Sequence, residues 1–465
     1  MQCFLGPKSI AIVGASDRPF SWGYMITKNA LESGFKGEVH LVNPHANMLF
    51  NRRAYSSIGK ILGKIDLAVI VVPPQIVPQV IEECGSAGIK AAVVVTSGFS
   101  EAGREGALLE NKLVEAARKE NVRILGPNCN GVFNVSSSLN VSSISNMFLR
   151  DSGIAFLSQS GYLGHTLTVW GSRRNYHFGK FVATGNECDL SCVDFLEYLG
   201  EDTSVRAIMM YIEGLEDGRR FLDVAKKVSS KKPIIAIKAG RTREGSRAAS
   251  SHTGALAGAS VLYDTSFRQA GVIQVSSIED MLRASAASVE LPRLTGNRIC
   301  ILTLGGGCGV LLTDALASSG MEVPELSEDL KNELRRLIPQ PRASVKSPID
   351  LGAAWPLELN VVLGIIELIL SQPDIDGLVI HDITDALKFP KYFEPDAKIG
   401  GELEFLEAMF RLMDRFGKPI LAGSTMTGEE NEFVSALQSK GHRVHNSINE
   451  IATILHASWE YLKHQ

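Results

Sequence analysis

Short runs rich in β-branched residues, many of them continuously apolar, recur along almost the whole chain, bounded by glycine, proline or asparagine and alternating with helical patterns. A strand that is apolar at every position has both faces covered. Where such strands alternate with helices, the sheet is parallel and has helices on both sides. The first series runs SIAIVGAS (9–16), EVHLVNP (38–44), DLAVIVVPP (66–74), KAAVVVTSGF (90–99) and VRILGPN (122–128), with helical patterns at 21–34, 75–88 and 104–120. A second series comprises 153–161, 180–186, 206–214, 232–240 and 272–277, and a third 297–309, 347–352, 376–384, 418–425 and 442–448. The chain has 465 residues, 45% of them apolar, enough for about three cores of ordinary size. The expectation is therefore three α/β domains: a doubly wound, Rossmann-like domain over 1–133, a second domain over 150–288 and a third over 295–465. The Ser- and Asn-rich stretch 134–152 reads as the first linker and 291–297 as the second join.

The bulk composition excludes several function classes. Lysine and arginine number 47 against 51 acidic residues, and a formal charge of −4 fits neither a nucleic-acid coat nor a polybasic membrane anchor. The seven cysteines are odd in number and scattered, with no CxxC pair. They read as reduced thiols in a cytoplasmic protein, and no metal site is expected from them. No apolar stretch approaches the ~18–20 residues of a membrane span, and the start MQCFLGPKSIAIVGAS lacks the pattern of a secretory leader.

In each series the first strand ends in a turn of small residues: GAS at 14–16, SQSG at 158–161 and GGGCG at 305–309. Ligands of open α/β sheets bind beyond the carboxyl ends of the strands, at such places. The first turn does not complete GxGxxG, since no glycine follows Gly14 until Gly23. The second strand ends in Asn43-Pro44 rather than in an acid. Both features speak against a nicotinamide site. A polar turn holding Ser16, Arg18 and Ser21 remains, suited either to the phosphates of another nucleotide-containing ligand or to a plain structural turn. Ser160 and Gly161 open a helix, where they can hold a phosphate or carboxylate; Ser158 and Ser160 can equally be N-caps.

The segment IKAGRTREGSRAASSHTGALAGA (237–259) surrounds His252 with Arg241, Arg243, Arg247, Ser250, Ser251, Thr253 and Gly254. Arginines, hydroxyls and glycines make a phosphate environment, and an imidazole is both nucleophile and leaving group toward phosphorus. A plain polar loop histidine is the alternative. Glu213, in YIEG, ends a strand at the edge from which this loop departs. A carboxylate there can fix the imidazole's tautomer, or it can be a solvated strand-end acid. Cys129 has no obvious activating His or Lys nearby in LGPNCNGVFN and reads as a small buried thiol.

Taken in order, SIAIVGAS, VNP, VPP, ECGSAGIKAAVVVTSGF, ILGPNCNGV, SQSG, YIEG, IKAGRTREGSRAASSHTGALAG and QAGVI resemble the α subunit of the NDP-forming acyl-CoA synthetases, of the ADP-forming acetyl-CoA synthetase type. The likeness to the succinyl-CoA synthetase α subunit is more distant. The resemblance covers essentially the whole chain and is most specific in SSHTGALAG. It implies an N-terminal Rossmann-like CoA-binding domain followed by two flavodoxin-like, succinyl-CoA-synthetase-like domains. It also implies a reversible sequence: acyl-CoA and phosphate give acyl phosphate and CoA, the acyl phosphate phosphorylates a histidine, and the phosphohistidine phosphorylates ADP or GDP. That histidine corresponds to His252 and its supporting glutamate to Glu213. Coenzyme A contacts correspond to Gly14, Ser16, Ser21, Asn43, Pro44 and Pro73, with Asn128 near the thioester. Ser160, Gly161, Ser251, Thr253 and Gly254 correspond to phosphate contacts.

The family's ATP-grasp domains find no counterpart here. The resemblance therefore implies that nucleotide and Mg are supplied by an ATP-grasp β subunit, in an α2β2 assembly, with a small carboxylic acid, CoA and phosphate as the other partners. A CoA-binding regulatory or protein-acyltransferase-related module is the alternative, and the presence of both His252 and Glu213 speaks against it. Departures gather in the third series. LGGGCGV has Cys308 where the family often has proline, SPIDLG begins with Ser347 instead of asparagine, and HDITD places His381 and Asp382 at a strand end.

Overall fold

The computed structural model describes residues 1–247, 260–338, 343–352, 355–393 and 401–465. The first seven strands are β1 (Ser9–Val13), β2 (Glu38–Val42), β3 (Met48–Leu49), β4 (Arg52–Tyr55), β5 (Leu67–Ile70), β6 (Ala91–Val94) and β7 (Arg123–Leu125), in the order β3-β4-β2-β1-β5-β6-β7. Every pairing is parallel except that of β3 with β4. Counting only the parallel strands, the order is 3-2-1-4-5-6, the Rossmann arrangement. Strands β1, β5 and β6 are buried at every position, which is why they are apolar throughout. Their core contains Ala11, Ile70, Val80, Ile81, Leu113 and Ile124, drawn from the strands and from the helices Val77–Ser86 and Arg104–Glu120.

The second sheet comprises β8 (Gly131–Asn134), β9 (Leu139–Ser142), β10 (Ile154–Ser158), β11 (Lys180–Ala183), β12 (Ala207–Ile212), β13 (Ile234–Lys238) and β14 (Val272–Gln274), in the order β14-β13-β12-β10-β11-β8-β9. Its parallel part has the flavodoxin-like order 2-1-3-4-5. The stretch expected as a linker supplies part of an antiparallel hairpin, with β8 paired to β11. Its serines and asparagines had the composition of a loop, but their side chains bond backbone. Asn140 Nδ2 donates to the Ile144 carbonyl at 2.8 Å, and Asn29 Nδ2 donates to the carbonyls of Ser142 and Ile144 at 2.9 and 3.0 Å. Asn29 lies on the helix Trp22–Glu32 that follows β1, so the hairpin fastens the second sheet to the first domain's helical layer.

Residues Met1–Val289, with both of these sheets, form one compact unit, and Glu290–Gln465 form another. The latter is built on β15 (Ile299–Thr303), β16 (Ile349–Asp350), β17 (Gly377–His381), β18 (Ile420–Gly423) and β19 (Val444–His445). All four pairings are parallel and the order is again 2-1-3-4-5. Its core includes Leu302, Ile366, Ile380, Leu406 and Val434. Among the described residues no helix is long and apolar enough to cross a membrane.

Candidate active site

The turn after β1 depends on two glycines. Gly14 has φ +90°, and a Cβ on it would stand 2.2 Å from the Val71 carbonyl oxygen. A Cβ on Gly23 would stand 2.2 Å from the Gly14 carbonyl oxygen, so Gly23 lets the helix Trp22–Glu32 start directly against the turn. Close backbone approach, which the fingerprint achieves with nearby glycines, is reached here across nine positions. The hydroxyl of Ser16 accepts from the Arg18 amide at 3.0 Å. Ser21 is the helix N-cap, accepting from the Tyr24 amide at 3.1 Å and donating to the Arg18 carbonyl at 2.8 Å. Asn43 joins the end of β2 to the turn by donating to the Ala15 carbonyl at 2.9 Å. Pro44 and Pro73 are exposed.

The turn after β10 opens the helix Gly161–Ser172. Ser160 occupies the N-cap position, yet its side chain makes no capping bond. Ser158 instead closes the turn, its hydroxyl donating to the Ser160 carbonyl at 2.7 Å and accepting from the Ser160 amide at 3.2 Å. The helix start is therefore a set of amide donors with a positive dipole and no side-chain cap. Asn130 holds it in place by donating to the Gly161 carbonyl at 3.0 Å. A Cβ on Gly161 would lie 2.6 Å from the Asn130 Cβ, so glycine is required for this approach.

Asn128 takes a left-handed conformation, φ +56°, and its side chain donates to Asn186 Oδ1 at 3.2 Å. Asn186 Nδ2 in turn lies 2.6 Å from a Glu101 oxygen and 2.8 Å from a Glu110 oxygen. Cys129 is buried and its thiol donates to the Val94 carbonyl at 3.3 Å. Burial pushes this thiol up to about 12, the behaviour of a structural cysteine rather than a nucleophile.

Glu213 directly follows β12 and is 4% exposed. The side chain of Gln159 fixes the backbone here: Oε1 accepts from the amides of Glu213 and Gly214 at 2.5 and 3.0 Å, and Nε2 donates to the Gly214 carbonyl at 2.8 Å. The Lys238 ammonium, at the end of β13, donates to the Glu213 carbonyl at 2.8 Å and stands 4.5 Å from the Tyr263 ring centroid. Burial pushes the Lys238 pKa down and the neighbouring Glu213 charge opposes it.

The turns after β1 and β10, with residues 128–130, line one cavity of about 860 Å³. Gly14, Ser16, Arg18, Ser21 and Gly23 line it from the first sheet's turn, and Gln159, Ser160, Gly161, Tyr162 and His165 from the second's. Asn128, Cys129 and Asn130 lie between them. Of the residues expected at the site, Gly14, Ser16, Ser21, Asn128, Ser160 and Gly161 therefore meet around one space; Asn43, Pro44, Pro73 and Glu213 are not in its lining. His252, Ser251, Thr253 and Gly254 lie outside the described residues. Sequence reasoning missed Gln159, Asn130 and Asn186. Gln159 stood in the quoted SQSG, but nothing local showed that its amide reaches another strand. An anionic ligand fits this lining: an arginine, uncapped helix amides and small residues converge in a space of the size that binds cofactors.

Three family models match: a CoA binding domain over residues 8–134, a succinyl-CoA ligase like flavodoxin domain over 151–288 and a ligase-CoA domain over 299–402. The chain is 42% identical over 379 residues to the alpha subunit of acetate–CoA ligase [ADP-forming] II of Pyrococcus furiosus, covering 82% of this chain and 81% of that one. It is 37% identical over 448 residues to the alpha subunit of that organism's acetate–CoA ligase [ADP-forming] I, covering 95% and 93%. A solved acetyl-coenzyme A synthetase 1 of Ca. Korarchaeum cryptofilum, in complex with phosphate and ADP, matches with a TM-score of 0.88 at 34% identity, covering 100% of this chain and 97% of that one.

Proposed function

The chain belongs to the family of ADP-forming acetate–CoA ligase α subunits, and from that premise we propose that it exchanges acyl-CoA and phosphate for acyl phosphate and CoA and then carries the phosphoryl group on His252. The observation that carries this reading is the shared cavity. A turn of the CoA-binding domain and an uncapped helix N-terminus of the ligase domain line the same space of about 860 Å³. A thioester and an inorganic phosphate can thus be held against each other, and positioning two reactants in this way removes much of the entropic barrier.

In the proposed first step a phosphate oxygen attacks the thioester carbonyl. The carbon–sulfur bond breaks, and CoA leaves as thiolate and takes up a proton. The amides beyond Ser160 and Gly161 hold the phosphate, with the helix dipole offsetting its charge. We assign Arg18, Ser16 and Gly14 of the cavity lining to the phosphates of CoA and Asn128, which donates to Asn186, to the thioester. In the second step the His252 imidazole attacks phosphorus and the free carboxylate leaves. We assign Glu213 to steadying the imidazolium character that develops, and Ser251, Thr253 and Gly254 to hydrogen bonding with the phosphoryl group. In the third step an ADP or GDP oxygen takes the phosphoryl group and the imidazole is released.

The names of the relatives as alpha subunits support a partner chain. We infer an ATP-grasp β subunit that brings the nucleotide with its magnesium, in an α2β2 assembly. The test is to assay acyl-CoA- and phosphate-dependent ATP formation with this chain, with a candidate ATP-grasp subunit, and with both. Activity only in the mixture is expected, and full-rate ATP formation by this chain alone would refute the split between subunits.

A further inference from the structure

The third sheet gathers a set of donors that the proposed reaction does not use. Strand β15 runs into the helix Gly306–Ser318, which puts Cys308 in that helix's first turn. Beside it β17 ends at His381, in register with Thr303 of β15, and Asp382 follows at φ +68°. One ligand atom each from Cys308, His381 and Asp382 lie within 4.8 Å of one another.

The histidine is the informative member. It is 2% exposed, and its Nδ1 lies 2.8 Å from Asp382 Oδ1. That contact lacks hydrogen-bond geometry, and Nδ1 is buried with no hydrogen-bond partner. A Cβ on Gly423 would stand 2.2 Å from His381 Cδ2 and 2.9 Å from Nε2, so that edge of the ring packs on β18 while Nδ1 lies beside Asp382. Gly305 leaves room beside it, since a Cβ there would lie 3.0 Å from Asp382 Oδ2 and 3.7 Å from Cys308 Sγ. The neighbouring carboxylates have other tasks. Asp385 accepts from the Thr425 amide and hydroxyl at 2.9 and 2.8 Å, and Asp350 Oδ1 accepts from the Gly352 amide at 2.8 Å.

A buried imidazole nitrogen beside a carboxylate oxygen, poorly aligned for a hydrogen bond, is an arrangement that a cation bound between them satisfies. A sulfur, a nitrogen and an oxygen donor together are the ligand types of zinc and related borderline-soft divalent ions. Bonds of about 2.3 Å to sulfur and ~2.0–2.1 Å to nitrogen and oxygen place tetrahedral ligands roughly 3.3–3.6 Å apart. The cluster reaches that spacing by shifts of about 1 Å.

We propose that Cys308, His381 and Asp382 form a three-ligand site for a zinc-class divalent cation, with the fourth position open to water. On binding, the Cys308 thiol gives its proton to solvent and binds as thiolate, His381 binds as the neutral ring and Asp382 as carboxylate, so the +2 ion meets two negative ligands. The ligands come from separate segments, so no CxxC- or HxxH-type spacing announces them.

The test uses the full chain, stripped of metal with a chelator and titrated with Co²⁺. A thiolate-to-cobalt charge-transfer band and the intense visible bands of a four-coordinate ion are expected near one equivalent, and both are displaced by Zn²⁺. Cys308→Ser is expected to abolish the charge-transfer band. Asp382→Asn, which keeps a residue tolerant of the left-handed backbone, is expected to lower Co²⁺ affinity at least tenfold, with folding of both variants checked by circular dichroism. Absence of the band in the folded wild-type chain, or its persistence in Cys308→Ser, overturns the proposal.

Discussion

Gln159 joins the turn after β10 to Glu213 and Gly214, which follow β12, and its removal gives a calculable effect. Gln159→Ala deletes three hydrogen bonds, to the Glu213 amide, the Gly214 amide and the Gly214 carbonyl. Glu213 and Gly214 are both buried, so their amides lose partners where water replaces them poorly. At about 1 kcal/mol for each bond, and with the cavity side admitting some water, the loss is about 2–3 kcal/mol. The unit Met1–Val289 unfolds with an entropy of roughly 0.6 kcal/mol per degree, so its midpoint should fall by about 3–5 °C. Phosphorylation of the chain by acetyl phosphate should slow by more than the stability loss explains, because Glu213 is no longer held. Gln159→Glu keeps the acceptor but sets a carboxylate oxygen against the Gly214 carbonyl and a negative charge in an anion-fitting cavity, and should restore neither the midpoint nor the labelling rate. Differential scanning calorimetry and the labelling rate well below the midpoint measure the two effects. An unchanged midpoint together with an unchanged labelling rate in Gln159→Ala would mean that Gln159 does not hold Glu213 in place.

Three further outcomes are expected. Gly23→Ala forces a Cβ to within 2.2 Å of the Gly14 carbonyl and should cost about 1–3 kcal/mol; CoA affinity, measured by calorimetry, should weaken at least tenfold as the turn shifts. Cys129, pushed up to about 12 by burial, should resist alkylation at pH 8 in the native chain and react at the rate of a free thiol once denatured, as peptide mapping would show. In the unit Glu290–Gln465, burial works to raise the Asp376 pKa, but hydrogen bonds from Arg298 outweigh it and hold it below its ordinary value. With the folded pKa below the unfolded one of about 3.9, this pair's contribution is complete above about pH 4 and is lost as pH falls through the folded value. Asp376→Asn should therefore lose stability at pH 7 and flatten the acid limb of the unfolding curve.

The alternation of fully apolar strands with helices was legible because parallel strands buried on both faces cannot be written otherwise. Thus β1, β5, β6, β10, β12, β13 and the five strands of the third sheet fall within the expected runs. The hairpin β8–β9 was not legible. Its asparagines and serines look like loop until their partners on the helix Trp22–Glu32 are in place. At the cavity, the small-residue turns were visible because a strand that enters a helix against neighbouring backbone needs glycine and hydroxyls. Gln159, Asn130 and Asn186 were not, since each acts across a distance in sequence that only the fold closes. The meeting of Cys308 with His381 was hidden for the same reason.

The phosphoryl carrier is the centre of the account, and one labelling experiment reaches it directly. The purified chain, incubated with acetyl phosphate, should acquire one phosphoryl group per chain that is stable in base and labile in acid, the signature of a phosphohistidine. His252→Ala should acquire none while still binding CoA. Equal labelling of His252→Ala and wild type would contradict the account.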